Sequence, residues 1–136
     1  MTYGLDHLDE VSQFVIKNSK SNTFLFFGEM GVGKTTLVKA FVKALGSDDV
    51  VSSPTYSLVN EYHADGKLIF HFDFYRIKSI EEVYDIGFED YLSQDAYLII
   101  EWPELIEELW PEQHTKVQLS LAEQEGLRTM HISESA

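Results

Sequence analysis

One stretch constrains this chain more than any other: Gly28-Glu29-Met30-Gly31-Val32-Gly33-Lys34-Thr35-Thr36, set between the apolar run Phe24-Leu25-Phe26-Phe27 and a helical pattern from Leu37 to Leu45. A buried strand, a glycine-rich turn and a helix in that order are the setting of a phosphate-binding loop. Glycines let the backbone curl so that successive N–H groups point inward, and the helix N-terminus adds its positive dipole end. Lys34 is placed to reach the β- and γ-phosphates of a nucleoside triphosphate, and the Thr35 hydroxyl to ligate Mg²⁺. The bland alternative is a glycine-rich turn that merely precedes a helix; the agreement of motif and flanks speaks against it.

The rest of the chain reads as one α/β domain over residues 1–136, three layers around a mixed parallel and antiparallel sheet. Hydrophobic content of 44% suits a packed core. Leu8, Val11, Phe14 and Val15 have the spacing of an amphipathic helix, and Gly46 ends the helix after the loop. Tyr56 to His63 and Lys67 to Phe74 flank Asp65-Gly66, a hairpin signal. Ser79-Ile80-Glu81-Glu82 is a capping-box pattern opening a short helix that breaks at Gly87. Ala96 to Ile100 is a second buried strand, and Pro103 stands where a helix begins. Val117, Leu119 and Leu121 alternate onto one face of a strand that pairs with Leu127 to Ser133.

Composition narrows the function. The net charge is −13 with only 10 basic residues, which disfavours direct, tight binding of nucleic acid and leaves either solubility or a basic protein partner as its meaning. There are no cysteines, so disulfides and Cys-based zinc sites are excluded. No apolar stretch reaches membrane-span length, and Met1 to Asp6 lacks the pattern of a signal peptide, so a cytoplasmic protein without membrane contact is expected.

A triphosphatase needs an acidic residue at the end of a buried strand beside the loop. Asp73 and Glu101 both qualify, against the alternative that each only caps its strand. Asp73 is assigned to Mg²⁺ and Glu101 to the attacking water, with the reverse left open. Thr55 stands in a polar loop that suits a hydroxyl sensing Mg²⁺ and the γ-phosphate, or a plain turn hydrogen bond. Arg76 suits transferred phosphate or a surface pair with Glu81 or Glu82. The five histidines show no metal-ligand spacing, and His71, alternating with Phe70 and Phe72, is read as lying on the face of Asp73's neighbours rather than of Asp73.

Four blocks together, Gly28 to Thr36, Ser53-Pro54-Thr55-Tyr56, His71-x-Asp73-x-Tyr75-Arg76 and Glu101-Trp102-Pro103-Glu104, resemble the bacterial TsaE family, also called YjeE. They span roughly residues 5 to 110. Met30 and Val32 depart from the family pattern at variable loop positions. The resemblance implies a small ATPase that uses ATP and Mg²⁺ and works with the transferase TsaD and its partner TsaB. Together these place threonylcarbamoyl on an adenosine next to the anticodon of tRNA, which this chain meets only indirectly. It implies Lys34 and Glu101 as catalytic, Thr35, Asp73 and Glu101 at the metal, and Gly28 to Thr36, Thr55 and Trp102 around the nucleotide. It also favours a functional role for Arg76. A GTPase would need an Asn-Lys-x-Asp motif, which the sequence lacks. A small-molecule kinase remains an alternative, though kinases of this size close an arginine-bearing lid and the second half offers only Arg76 and Arg128. A nucleotide-dependent scaffold is the non-enzyme alternative.

Overall fold

The computed structural model describes residues 1–136 except Met30, Ser53, Thr55, Tyr56, Ser57 and Ala136. Its strands are β1 (Thr2–Tyr3), β2 (Thr23–Phe27), β3 (Val59–Ala64), β4 (Lys67–Asp73), β5 (Ala96–Glu101), β6 (Thr115–Leu121) and β7 (Arg128–Glu134). Its α-helices are α1 (Leu8–Asn18), α2 (Lys34–Ala44), α3 (Glu81–Asp85) and α4 (Phe88–Leu92), with 3₁₀ turns at Leu5–His7 and Pro103–Leu109. The strands form one sheet in the order β1-β7-β6-β2-β5-β4-β3. β6, β2, β5 and β4 run parallel; β7 and β3 are antiparallel to their neighbours, so the sheet is mixed, as the sequence suggests.

β2 is apolar at nearly every position because both of its faces are covered, the condition of a central parallel strand. On one face, Phe24 and Phe26 meet Phe41 of α2 edge-on at 4.7 and 5.5 Å. Val11 and Val15 of α1 and Leu37, Val38 and Val42 of α2 complete that layer with Ile69, Ile99 and Val117. On the opposite face, Leu25, Phe70, Phe72, Leu98 and Ile100 pack against Val83, Phe88 and Ile106. Alternation therefore sends 69, 71 and 73 of β4, and 99 and 101 of β5, toward the α1/α2 layer.

The hairpin turn falls at Asp65-Gly66, with Gly66 at φ 70°. The helical break at Gly87 is also present. Glu82 accepts the N–H of Ser79, one half of the capping box. Four details differ from the sequence expectation. Phe14 is exposed, since Val11 and Val15 already fill the seam with α2. Leu121 continues the alternation of β6 but is 66% exposed at the strand end, beyond the helices that cover Val117 and Leu119. The Pro103 segment is 3₁₀ with a kink at Ile106 (φ −130°), because Ile106 turns inward to the core. The first described residue of the strand expected from Tyr56 is Val59, Tyr56 itself lying outside the described residues.

Candidate active site

β2 ends at the glycine loop, and α2 begins immediately after it. Gly28 stands at φ 153°, and a Cβ there would meet Val32 Cγ1 at 2.7 Å, so the turn out of the strand admits only glycine. Gly33, at φ 98°, leads into α2 with no side chain capping the helix. The first N–H groups of α2 thus carry no intrahelical partner and no cap, the arrangement that receives an anion. The carbonyl of Val32 is bound by Arg128 Nε at 2.8 Å, and Arg128 lines the same cleft as Lys34 and Thr35. The last strand of the sheet therefore braces the loop.

Sheet register supplies the acidic wall. β4 and β5 pair so that Asp73 and Glu101 are direct neighbours at the strand ends. Both face the start of α2, and the Thr35 hydroxyl donates to Glu101 Oε1 across a long 3.5 Å. Asp73 Oδ1 accepts the N–H of Tyr75 at 3.0 Å, and burial pushes its carboxyl up from the ordinary value. Glu101 is 2% exposed, and its Oε2 lies 2.6 Å from His71 Nε2.

Lys34 is the outlier in this polar set. Its Nζ is buried and has no hydrogen-bond partner among the described residues. It lies 3.5 Å from the centre of the Trp102 ring. Trp102 holds a left-handed backbone (φ 58°, ψ 48°), costly for a large side chain, and that conformation lays the ring over the lysine. Tyr75 packs on the same indole at 4.9 Å. Burial lowers the Lys34 pKa, while Glu101, Glu104 and Asp73 raise it.

These groups line one open cleft of about 540 Å³, which gathers Glu29, Gly31, Val32, Gly33, Thr36, Asp73, Glu101 and Trp102 with Lys34 and Thr35. Gly28 turns the chain into the cleft from a neighbouring groove that shares Glu29, Val32 and Trp102. Met30 and Thr55 lie outside the described residues. Arg76 is exposed and makes no ion pair among the described residues, while Glu82, one of its suggested partners, is engaged by the backbone N–H groups of Lys78 and Ser79.

Two features escaped the sequence reading. His71 shares the face of Asp73, being two residues away on one strand, and this overturns the opposite placement. The motif His71-x-Asp73 already carried that signal. Arg128 carried none, because its approach to Val32 depends on a strand order that places β7 two strands from β2.

Known proteins resemble this chain in sequence and in fold. A family model, "Threonylcarbamoyl adenosine biosynthesis protein TsaE", matches residues 5–130. Proteins named tRNA threonylcarbamoyladenosine biosynthesis protein TsaE from Haemophilus influenzae and Bacillus subtilis are 44% and 36% identical over 85 and 96 residues. Those matches take in 62% and 70% of this chain but 54% and 59% of the relatives, so the chain spans little more than half of their length. The Rickettsia bellii protein of the same name is 39% identical over 102 residues, 74% of this chain and 70% of its own. A crystal structure of Bacillus subtilis YdiB superposes with a TM-score of 0.73 over 100% of this chain and 86% of that one, at 20% identity, a likeness of fold. The shared fold is the mixed seven-stranded sheet with a packed core on each face.

Proposed function

The chain belongs to the TsaE family, and from that premise we propose that it binds and hydrolyses ATP with Mg²⁺ in support of threonylcarbamoyl modification of tRNA adenosine. The observation that carries the proposal is Lys34: a buried ammonium with no hydrogen-bond partner among the described residues, at the mouth of a glycine turn that a Cβ would obstruct. Burying a charge unpaired is costly, and an arriving phosphate removes that cost. The same cradle fits a triphosphate by its donors, and the oxygens of Thr35 and Asp73 fit a magnesium ion, which takes one or two protein ligands beside phosphate oxygens. Held by these oxygens, Mg²⁺ would supply positive charge to offset that of the phosphates.

The chain's own residues divide the remaining work. Lys34 and the opening N–H groups of α2 hold the phosphates where negative charge develops. Asp73 and Thr35 hold the metal, with Glu101 completing that wall through its contact with Thr35. Glu101, buried and steered by His71, accepts a hydrogen bond from the attacking water and aims it. Trp102 closes the cleft over Lys34, and Thr55 is assigned to sensing of the γ-phosphate by the family pattern. ATP rather than GTP follows from the missing guanine motif. The kinase alternative loses an argument here, because Arg128 is committed to the carbonyls of Val32 and Leu127 rather than to a lid.

The partners proposed are proteins of the TsaD and TsaB families, with tRNA handled by them and the acidic surface of this chain turned to protein contacts. Among the described residues no helix is long and apolar enough to cross a membrane, and a cytoplasmic location is proposed. One sheet with a core on each face supports one domain over residues 1–136. The test is reconstitution of the tRNA modification with purified TsaD and TsaB, with and without this chain. Repeated turnovers that require the chain and are lost in Lys34→Ala support the reading. Equal turnover without it, or with Lys34→Ala, overturns it.

A further inference from the structure

Behind Glu101 a buried line of hydrogen bonds runs through three strands. Glu101 Oε2 lies 2.6 Å from His71 Nε2, and His71 Nδ1 lies 3.2 Å from the Tyr62 hydroxyl. The hydroxyl in turn meets the N–H of Ser52 at 3.3 Å and its carbonyl at 3.0 Å. His71 is fully buried, and Tyr62 is 4% exposed. Ring nitrogens at such depth are costly unless both are answered, and here both are.

The donor count settles how the line is wired. A carboxylate only accepts, so His71 Nε2 carries the hydrogen and gives it to Glu101. In the Nε2–H tautomer Nδ1 is an acceptor, and the Tyr62 hydroxyl supplies its donor. That hydroxyl has a single hydrogen, so it does not also serve the Ser52 carbonyl. The carbonyl is answered instead by Asn60 Nδ2 at 2.8 Å, while the Ser52 N–H gives to the Tyr62 oxygen. Of the two neutral tautomers, only the Nε2–H form puts a donor on Glu101 and an acceptor on the Tyr62 hydroxyl.

We infer that His71 is a positioning residue for Glu101, its tautomer and ring orientation locked by Tyr62 on the backbone of Ser52. The inference rests on hydrolysis at this site and deepens it. Left alone, a glutamate side chain has three free torsions, and a water-directing carboxylate must be held to a fraction of an ångström. His71 removes that freedom by taking one oxygen, leaving Oε1 to face Thr35 and the cleft. Ser52 stands three residues before Thr55 in the sequence, so the line ties the strand-end carboxylate to the start of the polar loop.

The experiment compares two amide substitutions. Glutamine carries an N–H₂ near the place of Nε2 and reaches Glu101; asparagine is one methylene shorter and does not. His71→Asn is expected to lower kcat about 10- to 100-fold, with KM for ATP and the Kd of a non-hydrolysable ATP analogue moved by less than about 3-fold. His71→Gln is expected to regain most of that loss. Tyr62→Phe, which keeps the ring, is expected to lower kcat by roughly 3- to 10-fold. In a Glu101→Ala background His71→Asn adds no further loss. A ¹⁵N spectrum of the ligand-free protein is expected to show the Nε2–H tautomer at His71, with weaker tautomer bias in Tyr62→Phe. Equal kcat in the Asn and Gln variants, affinity falling in step with kcat, full additivity with Glu101→Ala, or an Nδ1–H tautomer each overturns the inference. A wild-type protein without ATP turnover instead sinks the proposed function, and the tautomer still decides the wiring.

Discussion

The two walls of the cleft are built on opposite terms. On the loop side, among the described residues, Lys34 Nζ is buried with no hydrogen-bond partner and the first N–H groups of α2 meet no side-chain cap. On the strand side, Glu101 has both oxygens engaged and His71 both nitrogens, before any ligand arrives. On the proposed function the first wall is completed by a nucleotide, whereas the Glu101–His71 pair of the second is complete without one. Unanswered donors cost the empty protein stability and return it on binding, whereas satisfied networks fix geometry in advance. Affinity is thus stored on one wall and orientation on the other.

Substituting each wall separates the two. Lys34→Met is expected to lower ATP turnover about 100-fold or more, the scale of a lost transition-state contact. The ligand-free variant should nonetheless be more stable than wild type by about 1 kcal/mol in urea melts, since an unanswered buried donor is gone; the contact with Trp102 limits the gain. Glu101→Ala is expected to cost turnover on the same scale, yet to destabilise the fold by about 2 kcal/mol, because it leaves the buried His71 donor unpaired. Opposite signs in the melts uphold the contrast. A Lys34→Met protein weaker than wild type abolishes it.

What the sequence disclosed follows the range of the interactions involved. The loop, its strand and its helix are contiguous, so Gly28 to Leu45 could be read in place, as could the Asp65-Gly66 turn and the break at Gly87. Asp73 and Glu101 were recognisable as strand ends. Their adjacency depends on β4 and β5 being neighbours in register, which no local pattern carries. His71 was within reach, since residues two apart on a strand share a face, but its partner sits on another strand. The left-handed Trp102 and the 3₁₀ turn after it follow from tertiary demands, the ring over Lys34 and Ile106 in the core, that override helix signals such as Pro103.

The brace behind the loop offers a finer test. Arg128 donates to the carbonyls of Val32 and Leu127 and so holds the cradle's curl through the backbone, with no ion pair to Asp73 or Glu101 among the described residues. Arg128→Ala is expected to weaken binding of a non-hydrolysable ATP analogue by about 10-fold, near 1.4 kcal/mol, with little change in kcat at saturation. Titration calorimetry and turnover at saturating ATP check the two halves. A fall in kcat at unchanged affinity would move Arg128 to the orienting wall.

The smallest effect is one of pH. Burial is the main reason the folded Asp73 carboxyl stays above its ordinary 3.8, with Glu101 adding to it and the Tyr75 N–H, His71 and Lys34 opposing it. A raised folded value means that the stabilising contribution is whole below the unfolded value and is lost as pH rises through the folded one. Asp73→Asn, which cannot ionise, should therefore gain on wild type as pH climbs from about 3.8 through the raised value, and hold that gain at neutrality. Lys34 gives the mirror case. Its folded value is depressed by burial, so the advantage of Lys34→Met is whole at neutral pH and shrinks as pH climbs through that lowered value toward 10.5. Urea melts of the ligand-free proteins across both windows read the two slopes. Slopes of the same sign would mean that one of the two groups is not buried against its own charge, and the division between the walls would have to be redrawn around the other.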